Sequence, residues 1–192
     1  MASKYRQRNY RPNQLIHSQL RGHNRKPIFL DRKDHDQFHA TLRRMINRAP
    51  AKERPKLLAT ASLRNHQHLF TQNGSRGDAT SRIITATKIS YAAYFNDRHQ
   101  QTGPVFEAPF KARRVQGGDD IINVMAYIHL NPDATARTTN STHAIYTGEI
   151  RDPFIDATIP LKAFGGRDNY IEFFNDTEKV RVARAAARKR FG

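Results

Sequence analysis

The apolar positions of this chain change period several times, and each change marks an element. Leu15-Ile16-His17-Ser18-Gln19-Leu20 is short, mixed and bounded by Pro12 and Gly22, which predicts a half-buried first strand. Phe38, Leu42, Met45 and Ile46 then recur at helical spacing within residues 31–47, with Asp31 or Asp34 as N-cap and Pro50 beyond the end. Residues 57–63 and 66–71 read as two strands joined by a tight connection at Arg64-Asn65, and Asn73-Gly74 and Gly77 close that hairpin. Asp78 can cap a second helix running to about residue 97, where Ile83, Ala86, Ile89 and Ala93 recur at near-helical intervals. Gly103-Pro104 breaks the chain. Residues 110–115 predict another strand, on which period two places Lys111 and Arg113 on one face.

Gly117-Gly118 precedes a third helix that starts at Asp119 or Asp120 and carries Ile121, Ile122, Val124, Met125 and Ile128. Tyr127 and Asn131 fall on one side of its last turn, and Pro132 lies just past its end. Short apolar pieces follow in residues 155–164, then a short helix over residues 170–174 and a basic Arg and Ala helix ending in Arg188-Lys189-Arg190. The expected organisation is a flexible basic arm over residues 1–12, one domain over 13–145 and a C-terminal extension over 146–192. No internal repeat is visible.

Composition narrows the chemistry. At 192 residues the chain can bury one good core. Lys and Arg outnumber Asp and Glu by 33 to 17, a formal charge of +16, so a polyanion is the expected partner and nucleic acid the default one. No long uncharged apolar stretch suggests a membrane span, and the expected location is the cytoplasm. With no cysteine, there are no disulfides, thiolate ligands or cysteine nucleophiles; His, carboxylates, amides and Tyr remain.

His66 and His68 are separated by one residue. On a strand they face the same way and can converge on one ion. A free phenol, with a pKa of about 10, attacks phosphorus poorly at neutral pH unless a metal withdraws charge from the phosphate, so Tyr127 and the histidines are complementary. Asn131 can add a hard oxygen to the metal shell. His35 and His39, four apart beside Asp31, Asp34 and Asp36, could hold a surface metal, although wet helix faces often carry such pairs. In the tail, Arg181, Arg184 and Arg188 recur at helical intervals as a solvated face or a DNA contact.

The succession Arg21-Gly22-His23-Asn24-Arg25-Lys26-Pro27-Ile28-Phe29, Asn65-His66-Gln67-His68-Leu69, Tyr94-Phe95-Asn96, Phe110-Lys111-Ala112 and Tyr127-Ile128-His129-Leu130-Asn131-Pro132 closely resembles the REP-associated tyrosine transposases. These are single-tyrosine relatives of the HUH endonucleases. The resemblance runs from about residue 15 to residue 174 and includes a tail pattern, Pro153-Phe154-Ile155-Asp156 with Leu161-Lys162-Ala163-Phe164-Gly165-Gly166. It implies an α+β, ferredoxin-like fold with a central antiparallel sheet and packed helices. It also implies Mg²⁺ or Mn²⁺ held by His66 and His68 with Asn131 as a third ligand, and Tyr127 as the nucleophile. Single-stranded DNA beside a hairpin would be cut and rejoined through a 5′-phosphotyrosine link, by a monomer or a homodimer. The basic side chains expected on DNA are Arg21, Arg25, Lys26, Arg82, Lys88, Arg98, Lys111, Arg113 and Arg114. A descendant that binds hairpins without cutting is the alternative. Departures from the pattern are Gln67 where an apolar residue is usual, Leu63-Arg64 in place of Met-Pro, and Asp133-Ala134-Thr135 in place of Val-Arg-Ala.

Overall fold

A computed structural model describes residues 10–131 and 140–191. Its first part runs β1 (Leu15–Arg21), α1 (Arg32–Arg48), β2 (Lys56–Leu63), β3 (His66–Gln72), α2 (Ala79–Arg98) and β4 (Lys111–Val115). The four strands form one antiparallel sheet in the order β2-β3-β1-β4. Strand, helix, two strands, helix and strand in that spatial order is the ferredoxin-like connectivity. Five helices follow: α3 (Asp119–His129), α4 (His143–Thr147), α5 (Thr158–Phe164), α6 (Arg167–Asn175) and α7 (Thr177–Phe191).

Strand alternation sorts the side chains. One face carries Ile16, Ser18 and Leu20 of β1 with Gln67, Leu69 and Thr71 of β3, and α1 and α2 pack on it beneath Phe38, Leu42, Ile84 and Tyr91. The other face carries His17, Gln19 and Arg21 of β1, His66, His68 and Phe70 of β3, and Lys111 and Arg113 of β4, and α3 lies over it. β1 and β3 are the two central strands. Their positions are therefore set from both sides, and the register cannot slip by one residue without exchanging the two faces.

The helix starts differ from the sequence expectation in an instructive way. Asp31 does cap α1, its side chain accepting the Asp34 N–H at 3.1 Å. Asp78, in contrast, makes no cap bond at α2 and pairs with Arg76; the side chain of Asn73 accepts the Thr80 N–H at 3.1 Å instead. α3 starts at Asp119 as expected, behind Gly118 at the N-cap position, and the Asp120 carboxylate takes the Gln116 N–H and Arg113. The short apolar pieces of residues 155–164 resolve into α5, and the helix expected over 170–174 extends to Arg167–Asn175.

The C-terminal elements are joined to the sheet. Residues 140–142 run along the outer edge of β2, with Ser62 N–H donating to Asn140 O at 2.7 Å and Thr142 N–H to Thr60 O at 3.0 Å. Asp156 N–H continues the cover onto Leu57 O at 2.9 Å. α7 docks on α3: Ala183 and Ala187 are buried, and Ala183 shares a cluster with Ala126 and Leu130. Small residues allow that close approach, so the basic tail is not a fully solvated helix. Of the expected N-terminal arm, residues 1–9 lie outside the described residues, while Tyr10 is buried against Ile16 and Ala112. No helix among the described residues is long and apolar enough to cross a membrane.

Candidate active site

The antiparallel register of β1 and β3 places Gln19 opposite His68 and Arg21 opposite His66. His66 and His68 share a face, with ring centroids 4.8 Å apart. His17, two residues before Gln19, joins them: its Nε2 lies 3.2 Å from His68 Nδ1. From the helix above, the Tyr127 ring meets His68 edge-on at 5.2 Å between centroids and His17 at 5.9 Å. Asn131 sits beyond the end of α3, not within its last turn, yet its Nδ2 reaches His68 Nε2 at 2.7 Å. The structure thus brings Tyr127, His66, His68 and Asn131 together, and adds His17, which the sequence pattern did not single out.

Gln67 points to the opposite face and is fully buried, so its amide must be satisfied inside the protein. Its Oε1 accepts the Ser62 hydroxyl at 2.5 Å, its Nε2 donates to the His68 carbonyl at 2.9 Å, and Ser62 in turn meets His39 Nε2 at 3.1 Å. The back of the site is a closed polar relay rather than a wet one. It also settles His39: with the ring against Ser62 and His35 stacked on Phe29 at 4.3 Å, the two do not form a metal pair.

α3 is held at its C-terminal end by a second relay. His129, fully buried, meets the Tyr170 hydroxyl through Nδ1 at 2.7 Å and Thr142 Oγ1 through Nε2 at 2.9 Å. His143 Nδ1 reaches the same Tyr170 hydroxyl at 2.6 Å, and Thr142 Oγ1 accepts the Thr60 N–H at 3.0 Å. The last turn of the tyrosine helix is thereby tied to the edge of β2 and to α6.

Burial lowers the pKa of His66 to about 4, with the Arg21 charge adding to it. Burial holds His68 well below the ordinary imidazole value, reinforced by His17, His66 and Arg21. Both rings are therefore neutral at physiological pH, the form in which imidazole binds metal. His66 Nδ1 donates to Asn65 Oδ1 at 2.7 Å and His68 Nδ1 faces His17, which leaves the Nε2 atoms toward the site; an ion at His68 Nε2 would displace the Asn131 amide nitrogen, now 2.7 Å away, and take the Asn131 oxygen in its place. Among the described residues no group of three or more His, Asp or Glu is placed to hold one, so an ion here needs the Asn131 amide and non-protein ligands. On the chemistry of these donors, His66, His68 and Asn131 fit a divalent cation.

The expected DNA-contacting side chains divide into groups. Arg21 borders His66, and Arg25 and Lys26 are exposed on the 3₁₀ turn that follows β1. That turn is locked to the β2–β3 hairpin by Ile28 N–H to Arg64 O at 2.8 Å and Asn65 Nδ2 to Arg25 O at 3.2 Å. Gly22 permits it, since a Cβ there would lie 2.0 Å from the Lys26 carbonyl oxygen. Exposed Arg64 belongs to the same cluster and was not anticipated. Arg82, Lys88 and Arg98 lie on α2, across the sheet from Tyr127. Of these Arg98 is engaged by Asp31 and Asp34, Lys88 donates to Glu107 O at 2.8 Å, and Arg82 remains exposed. Lys111 and Arg113 are on the site face, but Arg113 forms a two-pronged pair with Asp120 at 3.0 Å for each bond, while Arg114 points to the other face. Asp133, Ala134 and Thr135 lie outside the described residues.

No family model and no curated protein matches the chain. Among solved structures, one described as a REP-associated tyrosine transposase bound to a REP hairpin aligns with a TM-score of 0.61 at 17% identity, covering 81% of this chain and 93% of that one. At that identity the likeness establishes a shared fold.

Proposed function

We propose that this chain is a metal-dependent single-stranded DNA endonuclease and strand transferase of the HUH type, acting beside DNA hairpins with Tyr127 as nucleophile. The observation that carries this reading is the edge-on contact of the Tyr127 ring with His68 at 5.2 Å between centroids while Asn131 lies 2.7 Å from His68 Nε2. That places a phenol, two lone-pair imidazoles and an amide around one point on the sheet. The excess of basic residues and the shared fold with a hairpin-bound transposase support a DNA substrate.

Mg²⁺ or Mn²⁺ held by His66, His68 and Asn131 would polarise a non-bridging phosphate oxygen and favour attack. The Tyr127 oxygen forms a bond to phosphorus as the bond from phosphorus to the 3′ oxygen breaks; the phenol loses its proton and the departing oxygen gains one. A 5′-phosphotyrosine and a free 3′-hydroxyl result, and attack by another 3′-hydroxyl reverses the step with no external energy source. Arg21 sits where it can neutralise the phosphate beside His66. The protein ligands carry no negative charge, so the DNA phosphate itself supplies the anion that balances the ion. Metal and DNA should therefore bind cooperatively.

The test is incubation of labelled single-stranded hairpins carrying flanking sequence with Mn²⁺, resolved on a denaturing gel. A covalent adduct should form with the unaltered chain and vanish in Tyr127→Phe and His68→Ala. Salt-sensitive hairpin binding with no adduct across a broad substrate panel would overturn the cleavage reading in favour of a non-cutting binder.

A further inference from the structure

We infer that His17 is a positioning residue, the hydrogen-bond acceptor that holds His68 as its Nδ1–H tautomer and so keeps His68 Nε2 a lone-pair donor beside Tyr127. The metal-binding consequence rests on the function proposed above; the tautomer assignment does not.

The argument is one of donor and acceptor bookkeeping. The Asn131 amide nitrogen faces His68 Nε2 at 2.7 Å, and an amide N–H₂ can only donate. His68 Nε2 must then accept, which puts the ring proton on Nδ1. That proton points at His17 Nε2, 3.2 Å away, which must therefore be the acceptor. The chain of bonds runs Asn131 to His68 to His17 in a single sense. His17 and His68 are 1% and 0% exposed, so water cannot replace His17 as acceptor without entering the core. Metal-ligating histidines characteristically have the second nitrogen fixed by such a partner. His66 has the same device in Asn65, whose Oδ1 lies 2.7 Å from its Nδ1. Each imidazole of the pair thus has its own orienting acceptor, one from the hairpin turn and one from the neighbouring strand.

His17 does more than orient one ring. It meets the Tyr127 ring edge-on at 5.9 Å, so the residue that sets the tautomer of the strand histidine also abuts the nucleophile. Deleting it would release both the sheet side and the helix side of the site. Lone histidines on mixed strands are common, and this role becomes visible only through the β1–β3 register.

Two substitutions separate hydrogen bonding from packing. His17→Phe keeps a planar ring against Tyr127 but offers no acceptor; His17→Gln restores an acceptor oxygen near the Nε2 position without a ring. The full chain labelled with ¹⁵N-histidine is measured without metal by long-range ¹H–¹⁵N correlation, with His68→Gln providing the assignment. Mn²⁺ binding is then read by electron paramagnetic resonance titration. The unaltered protein should show His68 as the Nδ1–H tautomer. His17→Phe should shift it toward Nε2–H and weaken Mn²⁺ binding about 10- to 100-fold, and His17→Gln should recover most of both. An Nε2–H tautomer in the unaltered protein overturns the inference, as does an unchanged His68 signal in His17→Phe or equal losses in both variants. If the tautomer depends on His17 but Mn²⁺ binds none of the proteins, the positioning of His68 stands and the metal-dependent function falls.

Discussion

Replacing Tyr170 by Phe isolates the relay that anchors the tyrosine helix. The ring and its packing against Phe164, Phe174 and Tyr146 stay in place, so no cavity is created. Only the hydroxyl is lost, and with it the contacts to His129 Nδ1 at 2.7 Å and His143 Nδ1 at 2.6 Å. The Tyr170 hydroxyl has one proton, so it donates to at most one of the two rings and accepts from any ring nitrogen that carries a proton toward it. His129 is fully buried, and an unpaired polar atom there costs about 1 to 3 kcal/mol; half-buried His143 can turn toward solvent and costs less. The expected loss is about 2 kcal/mol, which for a chain of this size lowers the melting temperature by roughly 4 to 8 °C. His129→Leu removes the other partner, so the double variant should be less destabilised than the sum of the singles by about 1 kcal/mol. Thermal melts give the totals, and hydrogen exchange should show the amides of α3 near Ala126 opening sooner than those of β3. A melting point within about 1 °C of the unaltered protein, or additivity within roughly 0.5 kcal/mol, would refute the relay as an anchor.

Ala187→Glu places a charge at a 1% exposed position on α7 and should cost on the order of 3 kcal/mol or more, exposing α7 to limited proteolysis. Ala185→Glu, on the exposed side of the same helix, should leave stability within about 0.5 kcal/mol. At the start of α2, Asn73→Ala should cost about 2 kcal/mol in urea denaturation, because the side chain serves Thr80 N–H, Gly77 O and Arg11 O. Asp78→Ala, which loses no cap bond, should cost about 0.5 kcal/mol or less. Asp34 makes stability depend on acid. Burial alone would raise its pKa, but the Leu30 N–H, His99 and Arg98 outweigh it and the net shift is downward. The unfolded chain then takes up the proton first, so this stabilisation is complete above about pH 4 and is lost as pH falls through the lowered native value. Asp34→Asn should be weaker at pH 7 and show a flatter decline toward pH 3; an unchanged slope would contradict the assignment.

The sequence already disclosed what depends on period and on neighbours in the chain. Helical spacing in residues 31–47 reports burial directly, and His66 and His68 share a face because strands alternate, although this strand is buried on both faces from residue 67 to residue 71. What it hid depends on register. His17 becomes a neighbour of His68 only after β1 pairs with β3. Arg113 looked free for phosphate because nothing local announces Asp120, folded back from α3 onto its guanidinium. Gln67, a departure from the usual apolar residue, is accounted for only once Ser62, across the hairpin, donates to its amide oxygen. Asn73 caps a helix from outside its first turn, where Asp78 held the conventional position. In each case a polar side chain was readable as polar, but its partner came from another element.

The docking of α7 onto α3 and of the strip at residues 140–142 onto β2 sets an order of events during translation. The strands bearing His17, His66 and His68 leave the ribosome first, and Tyr127 follows, yet the segments that clamp its helix are still unmade. At about 5 to 20 residues per second, seconds separate the synthesis of Tyr127 from that of the segments that hold its helix. On the function proposed above, cutting would become possible only once those segments have docked, after the basic surface of the sheet has already emerged.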